Sequence, residues 1–189
     1  SMKILDQLKT NLLLSLLFAI SLICTALFPF ISKKFGFEFL DAFYYPLEVT
    51  NIINSMSSEM LRMHIIVTLT LDVIYPLAYG LFFVGLVSRL SSNKKLILIP
   101  LILIFVDLAE GINQVVLLNL LITDTLLLLK ASLTLIKFAL LIISILMVTT
   151  LLFKQKKKRS NFWYSIVFTK YKLYIFIMLS INWKGDKYG

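Results

Sequence analysis

Four apolar stretches, each long enough to cross a lipid bilayer as a helix, constrain this chain of 189 residues more than any other feature. A helix rises about 1.5 Å per residue, so about 20 consecutive apolar residues span the hydrocarbon core. The four stretches are residues 11–31, 65–90, 96–121 and 126–153. Because lipid offers no partner to an unpaired backbone amide, each stretch is predicted to be an α-helix. The expected fold class is an all-α integral membrane protein, with residues 1–153 forming a four-helix transmembrane bundle.

The composition agrees with a membrane protein and narrows the chemistry. Hydrophobic residues make up 59% of the chain and charged residues 15%, whereas a soluble domain has about half and about a quarter. The single cysteine, Cys24, and the single histidine, His64, exclude a disulfide framework and a zinc cluster. Cys24 is predicted to be a packing residue of the first span, and His64 a residue at the membrane interface. No metal and no cofactor is predicted.

The net charge of +9 belongs to the end of the chain. From Lys154 onward there are nine basic residues and one acid, whereas residues 1–153 hold ten basic and nine acidic residues. The basic run directly follows the fourth span, as cytoplasmic anchors do, whereas nucleic-acid binding needs a basic stripe on a folded surface. Residues 154–189 are therefore predicted to be a basic cytoplasmic tail with an interfacial segment from Ser160, and no nucleic-acid partner is expected.

Lysine and arginine in the short connections predict the orientation in the bilayer, because they are enriched on the cytoplasmic side. Basic residues precede the first span, separate the second from the third and follow the fourth; they include Lys3, Lys9, Arg89, Lys94, Lys95 and Lys154. Both termini are therefore expected in the cytoplasm, with a bacterial cytoplasmic membrane as the location. The connection at 32–64 is then expected on the outer side.

The connection between the first two spans carries an amphipathic segment, predicted over residues 37–57. Pro46 suits the first turn of a helix. The apolar residues that follow it have helical spacing: Val49, Ile52, Ile53 and Met56. Two interpretations remain open. The segment rests on the outer surface of the bilayer as a connector, or it covers an opening between the spans as a lid.

Ionisable residues inside the spans are the least expected feature, because each costs about 2.5–3.5 kcal/mol to insert. The second span contains Asp72, the third Asp107 and Glu110, and the fourth Lys130 and Lys137. Helical spacing puts further polar residues on the same faces: Tyr75 and Tyr79 beside Asp72, Gln114 beside Asp107 and Glu110, and Thr134 between the two lysines. Since lipid cannot satisfy these groups, the three polar stripes are predicted to face one another inside the bundle, with ion pairs between the third and fourth spans.

This polar cluster has two interpretations. In the first, the lysines only neutralise the acids and hold the helices together. In the second, which the charges favour because three acids face two bases, the cluster lines a pocket. Its candidate catalytic groups, which would transfer protons, are Asp72, Asp107 and Glu110. Its candidate ligand-binding residues are Tyr75, Tyr79, Gln114, Lys130, Thr134 and Lys137.

Two short motifs surround the acids of the second and third spans. The first is Asp72-x-x-Tyr75-Pro76-Leu77-x-Tyr79-Gly80, and the second is Asp107-x-x-Glu110. Together they resemble a family of uncharacterised four-span bacterial membrane proteins, over about residues 40–140. In that family Asn usually follows the Glu directly, whereas Gly111 stands there in this chain. The resemblance implies the four-span fold and the choice of residues. A looser likeness to four-span sterol isomerase and sigma-two receptor-like proteins depends on buried acids in a small bundle.

The leading functional hypothesis is a membrane-embedded binder of a hydrophobic or amphipathic small molecule or lipid, with a buried pocket of acids and tyrosines and, as an extension, proton-transfer chemistry. The alternatives are a non-catalytic accessory subunit of another membrane protein and a small proton-coupled transporter. The expected partners are the lipid bilayer, a hydrophobic small molecule or lipid, and a membrane-protein partner or a second copy of the chain. A cavity between the polar stripes would favour ligand binding, whereas a tightly packed ion-pair core would favour a purely structural role.

Overall fold

The computed structural model describes the backbone of residues 6–119 and 122–185, with side chains as far as Lys157 except that of Ala42. Over these residues the regular structure consists of helices alone. Four of the helices are long and apolar enough to cross a membrane. The predicted fold class, an all-α four-helix transmembrane bundle with an extra helix in the first connection, is confirmed, and the protein is an integral membrane protein.

The helices follow the chain in a simple order. They are α1 (Asn11–Phe35), α2 (Pro46–Ser55), α3 (Ser58–Leu90), α4 (Leu98–Asn119) and α5 (Asp124–Gly185), with short 3₁₀ turns at Leu40–Ala42 and Lys94–Ile97. The chain divides into two compact units, Ser1–Val148 and Thr149–Gly189. Every contact discussed below belongs to the first unit. The interfacial segment predicted from Ser160 lies outside the residues whose side chains are described.

Local capping fixes the ends of the first helices. The side chain of Thr10 accepts a hydrogen bond from the backbone N–H of Leu13, and α1 ends at Gly36, whose φ of 71° is the left-handed conformation that glycine adopts without strain. Ser57 caps α3 in the same way as Thr10 caps α1, so the helix begins at Ser58, ahead of the apolar span predicted over residues 65–90. With 33 residues, α3 is about 50 Å long and exceeds the hydrocarbon core.

The bundle is built around α3, which packs on α1 and on α4. A small residue permits the closest approach of α3 to α4, because a Cβ atom added at Gly80 would lie 2.1 Å from Cγ1 of Ile104. Small residues at helix crossings are the usual means by which membrane helices gain packing contacts. The close crossing brings the polar faces of α3 and α4 together.

The amphipathic helix α2 packs against protein through its apolar face. Val49 and Ile53 are buried in a cluster that joins the first connection to α4 and α5; its other buried members are Leu40, Leu117, Leu118 and Leu127. The remaining predicted apolar positions, Ile52 and Met56, are partly buried against the same cluster. The apolar stripe read from the sequence therefore holds α2 on the bundle.

We expect Gly80→Ala to lower the free energy of unfolding in detergent by about 1–3 kcal/mol, the usual cost of overpacking. The matched control is Gly111→Ala, where the new Cβ would meet Oδ2 of Asp72 and Cγ2 of Thr68 at an ordinary 3.6 Å. Because alanine favours a helix over glycine by about 0.5–1 kcal/mol, the control should be neutral or stabilising. Equal effects of the two substitutions, measured by thermal unfolding, would contradict the close α3–α4 crossing.

Candidate functional site

Lys137 of α5 is the centre of a buried charge cluster. Its Nζ lies 2.6 Å from Oε2 of Glu110, 3.2 Å from Oδ1 of Asp107 and 3.4 Å from Oδ1 of Asp41. The first two carboxylates come from α4, and at least one of them was expected to pair with a lysine of the fourth span. The third comes from the first connection and was not expected. One ammonium therefore joins three carboxylates from two parts of the chain.

Lys130 lies about two helical turns before Lys137 on α5. It attaches the first connection to the bundle. Its fully buried Nζ donates hydrogen bonds to the backbone oxygens of Leu40, at 2.6 Å, and Phe43, at 2.7 Å. It also lies 3.0 Å from both Oε1 of Glu110 and Oγ1 of Thr134, and Thr134 donates to the same Glu110 oxygen. Because a buried ammonium without partners is very costly, these oxygens define the path of the connection.

Asp41 belongs to the 3₁₀ turn at Leu40–Ala42. It reaches the cluster because the neighbouring Leu40 is fully buried and its backbone oxygen is bonded to Lys130. Its Oδ1 accepts a hydrogen bond from Nε2 of Gln114, at 2.6 Å, in addition to the ion pair with Lys137. Burial alone would raise the pKa of Asp41, but the Lys137 ammonium and the Gln114 hydrogen bond outweigh it, so the pKa of this carboxyl lies below its usual range. Asp41 is thus held as a carboxylate.

His64, which was predicted to lie at the membrane interface, is fully buried among protein groups. Its Nε2 accepts the backbone N–H of Leu40 at 3.4 Å, which assigns the ring proton to Nδ1, 3.3 Å from Oγ1 of Thr68. The rings of Phe37 and Phe39 pack on the imidazole, with centroids 5.1 and 5.5 Å away. The histidine is a second support of the inserted connection.

A cavity of about 510 Å³ lies beside this cluster. Its lining has a polar end and a long apolar remainder. The charged residues of the polar end are Asp41, Asp72, Asp107 and Lys137, with the phenols of Tyr75 and Tyr79 beside them. The rest is mainly aromatic and aliphatic, and includes Phe18, Leu22, Phe28, Phe82, Phe83, Phe138, Leu141 and Ile145. This division suits a molecule with one polar group on a hydrophobic body.

Two of the three acids on the wall have strong partners. The Tyr79 hydroxyl donates a hydrogen bond to Oδ2 of Asp107, whose other oxygen pairs with Lys137. Asp41 is held as described above. Asp72 differs, because no side chain or backbone group of the described residues makes a hydrogen bond or ion pair with it, although only 8% of it is exposed. Its carboxyl group borders the cavity.

The nine predicted site residues separate into two groups. Asp72, Tyr75, Tyr79, Asp107 and Lys137 line the cavity. In the described part of the chain, the lining does not include the other four, which are buried and bonded to protein groups: Glu110, Gln114, Lys130 and Thr134. The residues of the second group support the site through bonds to other protein groups. Their predicted part in ligand binding or catalysis stays a prediction.

Sequence reasoning missed the contribution of α1, on which it placed no candidate site residue. One face of α1 lines the cavity with Phe18, Ser21, Leu22, Thr25 and Phe28. The spacing of Ser21 and Thr25 was a usable signal, although both hydroxyls also bond to the carbonyls one turn earlier. Thr25 also lies 3.4 Å from the Tyr75 hydroxyl. For Asp41 the signal was an acid in a loop dense in apolar residues.

Nothing in the site points to a metal, because no three His, Cys, Asp or Glu side chains of the described residues are grouped to hold one. Comparison of the chain with protein-family models, characterised proteins and solved structures gives no match in any of the three. The resemblance of the Asp72 and Asp107 motifs to four-span bacterial proteins stays a prediction. The function must therefore be argued from the site itself.

We expect Asp41→Asn to destabilise the protein by about 1.5 kcal/mol at pH 7, the lower end for a hydrogen bond to a charged group. Because the folded pKa lies below the ordinary value of 3.8, the carboxylate stabilises the fold above about pH 4, and this stabilisation is lost as the pH falls through the folded pKa. The difference in thermal stability between wild type and variant should be constant from pH 7 to about pH 4 and then shrink. Glu38→Gln, an exposed acid of the same connection, should change nothing; a difference for Asp41→Asn that does not begin to shrink as the pH falls below about 4 would contradict the ion pair.

Proposed function

We propose that the protein binds a hydrophobic or amphipathic small molecule or lipid inside the bundle. The observation that supports this most is the 510 Å³ cavity, with aromatic walls and a polar end built from three helices and the first connection. Small-molecule sites typically have about 300–1,000 Å³ and a mostly apolar lining with a few fixed polar groups. A purely structural ion-pair core would need no such cavity.

The ligand reaches this site from the hydrocarbon of the bilayer. Phe18 and Leu22 of α1 and Phe138 and Ile145 of α5 all line the cavity, and each of these side chains is about half exposed. All four are apolar and belong to helices that can span a membrane. An apolar opening between α1 and α5 favours a ligand that partitions into lipid over one that is dissolved in water.

The basic residues support an orientation with both termini in the cytoplasm of a bacterial cell. The connection between α3 and α4 carries Arg89, Lys94 and Lys95, and Lys154 begins the basic run on α5. An even number of spans then returns the chain to the same side. In this orientation the first connection and the acidic end of the cavity belong to the outer half of the bilayer.

Proton transfer is the second candidate function. Tyr79, Asp107 and Lys137 form a continuous chain of a phenol, a carboxylate and an ammonium along the cavity wall. Groups of this kind can exchange a proton with a bound molecule, which typically contributes about 10²- to 10⁴-fold to a rate. The roles of an accessory subunit, a homo-oligomer or a proton-coupled transporter stay hypotheses, without a structural feature that favours them.

The test is whether a molecule co-purifies in the cavity. Ser21 is buried and lines the cavity, so Ser21→Phe should fill part of it, whereas Ser15→Phe adds the same ring at an exposed position of α1. Mass spectrometry of organic extracts from gently purified protein should find a species in wild type and Ser15→Phe at near-equimolar amounts. The same species should be reduced at least about tenfold in Ser21→Phe, because the phenylalanine ring would occupy space that the bound molecule needs. Equal contents in all three proteins, or no bound species in any, would contradict ligand binding.

A further inference from the structure

The charges of the buried cluster do not balance. Four carboxyl groups, those of Asp41, Asp72, Asp107 and Glu110, share two ammonium groups in the described residues. Glu110 pairs with both Lys130 and Lys137, and Lys137 also pairs with Asp41 and Asp107. On the cavity wall alone, three carboxyl groups face one ammonium. The acidic end of the cavity therefore has room for positive charge.

Asp72 is the group that receives that charge. It is more than nine-tenths buried, lines the cavity, and has no hydrogen-bond or ion-pair partner among the described residues. A buried polar group without a partner is costly, and a buried charge more so. Asp41 and Asp107 differ from Asp72, because each already pairs with Lys137 and accepts a hydrogen bond from a further side chain.

Aromatic rings surround the same end of the cavity. The rings of Tyr75 and Tyr79 lie 5.0 Å apart and that of Phe28 lies 5.6 Å from Tyr75. All three residues line the cavity. The faces of aromatic rings attract cations, and the attraction grows when water is excluded. The surroundings of Asp72 thus favour an organic cation by two independent interactions.

We propose that the ligand is a lipophilic amine, whose ammonium group pairs with Asp72 while its hydrocarbon body fills the aromatic part of the cavity. This inference rests on the proposed function and names the ligand class for the same site. An anionic lipid is disfavoured, because the only ammonium on the described wall, that of Lys137, already contacts three carboxylates. Beside a neutral ligand, the carboxyl group of Asp72 would have to take up a proton, because a buried charge without a partner is costly.

Three ligands with the same chain of twelve carbons separate these cases: dodecylamine, dodecanol and dodecanoate. At pH 7 the amine is a cation, since aliphatic amines titrate near pH 10. Binding is measured by equilibrium dialysis of the radiolabelled ligands against full-length protein in a nonionic detergent, with detergent alone as reference. The proteins compared are wild type, Asp72→Asn, Ser21→Phe and Asp124→Asn, the last removing an exposed acid at the start of α5.

We expect wild type and Asp124→Asn to bind the amine at least about tenfold more tightly than the alcohol, and the alcohol more tightly than the carboxylate, as for a desolvated charge pair. In Asp72→Asn the preference for the amine should disappear while the affinity for the alcohol stays within about twofold of wild type. Ser21→Phe should weaken the binding of both.

Two results would overturn the inference and leave the proposed function intact. One is equal binding of amine and alcohol to wild type, with both weakened in Ser21→Phe; the other is tightest binding of the carboxylate in that same pattern. An amine preference that survives in Asp72→Asn would assign the cation to another group and also overturn the inference. Binding of all three ligands that is unchanged in Ser21→Phe, or absent in wild type, would contradict the proposed function as well.

Discussion

The buried ammonium of Lys130 determines where the first connection runs. An ammonium group in a membrane span is stable only if its three protons have oxygen partners, and α5 itself supplies only Thr134 nearby. The other oxygen partners of this ammonium are Glu110 of α4 and the backbone oxygens of Leu40 and Phe43, so four oxygens surround its three protons. The connection is therefore drawn into the end of the bundle, where Leu40 and α2 seal it with an apolar cluster.

This insertion gives the cavity its acidic end. With Leu40 and Phe43 fixed, Asp41 lies against Gln114 and Lys137, and Phe39 joins the aromatic wall. The two lysines then have different tasks: Lys130 holds backbone, whereas Lys137 neutralises carboxylates that border the cavity. Because burying an ion pair returns little net stability, a cluster with more acids than bases is not accounted for by its contribution to folding, and the proposed ligand would supply the missing positive charge.

The sequence was sufficient for the parts of the structure that depend on one helix at a time. Hydrophobic length predicts the spans, and the spacing of Asp72, Asp107 and Lys137 predicts which faces meet, because lipid rejects every other arrangement. The path of the first connection could not be predicted, since it depends on backbone oxygens, and every residue has these. Asp41 was not among the predicted site residues for that reason, because it belongs to a connection whose backbone Lys130 of a distant helix binds.

The spacing of the polar residues along the sequence also could not show which of them line the cavity and which bond only to other protein groups. Glu110 and Asp107 are one turn apart on the same face of α4, yet Asp107 borders the cavity and Glu110 lies behind it, bonded to Lys130 and Thr134. Which of the two faces empty space depends on the tilt and separation of α1 and α5. The spacing of polar residues along α4 carries no information about either.

The most direct test is thiol labelling of the inserted connection. In a Cys24→Ser background, which removes the single cysteine, a small maleimide is applied to detergent-solubilised Leu40→Cys and Tyr45→Cys proteins; Leu40 is 0% exposed and Tyr45 is 55% exposed. We predict that position 40 reacts at least about tenfold more slowly than position 45, as expected for a site that reacts only on local opening. Adding Lys130→Met should remove most of this difference, while Val87→Cys, fully buried in α3, stays protected and shows that the bundle is intact. Labelling of position 40 as fast as position 45 with Lys130 present would contradict the insertion, and with it the origin of the acidic end of the cavity.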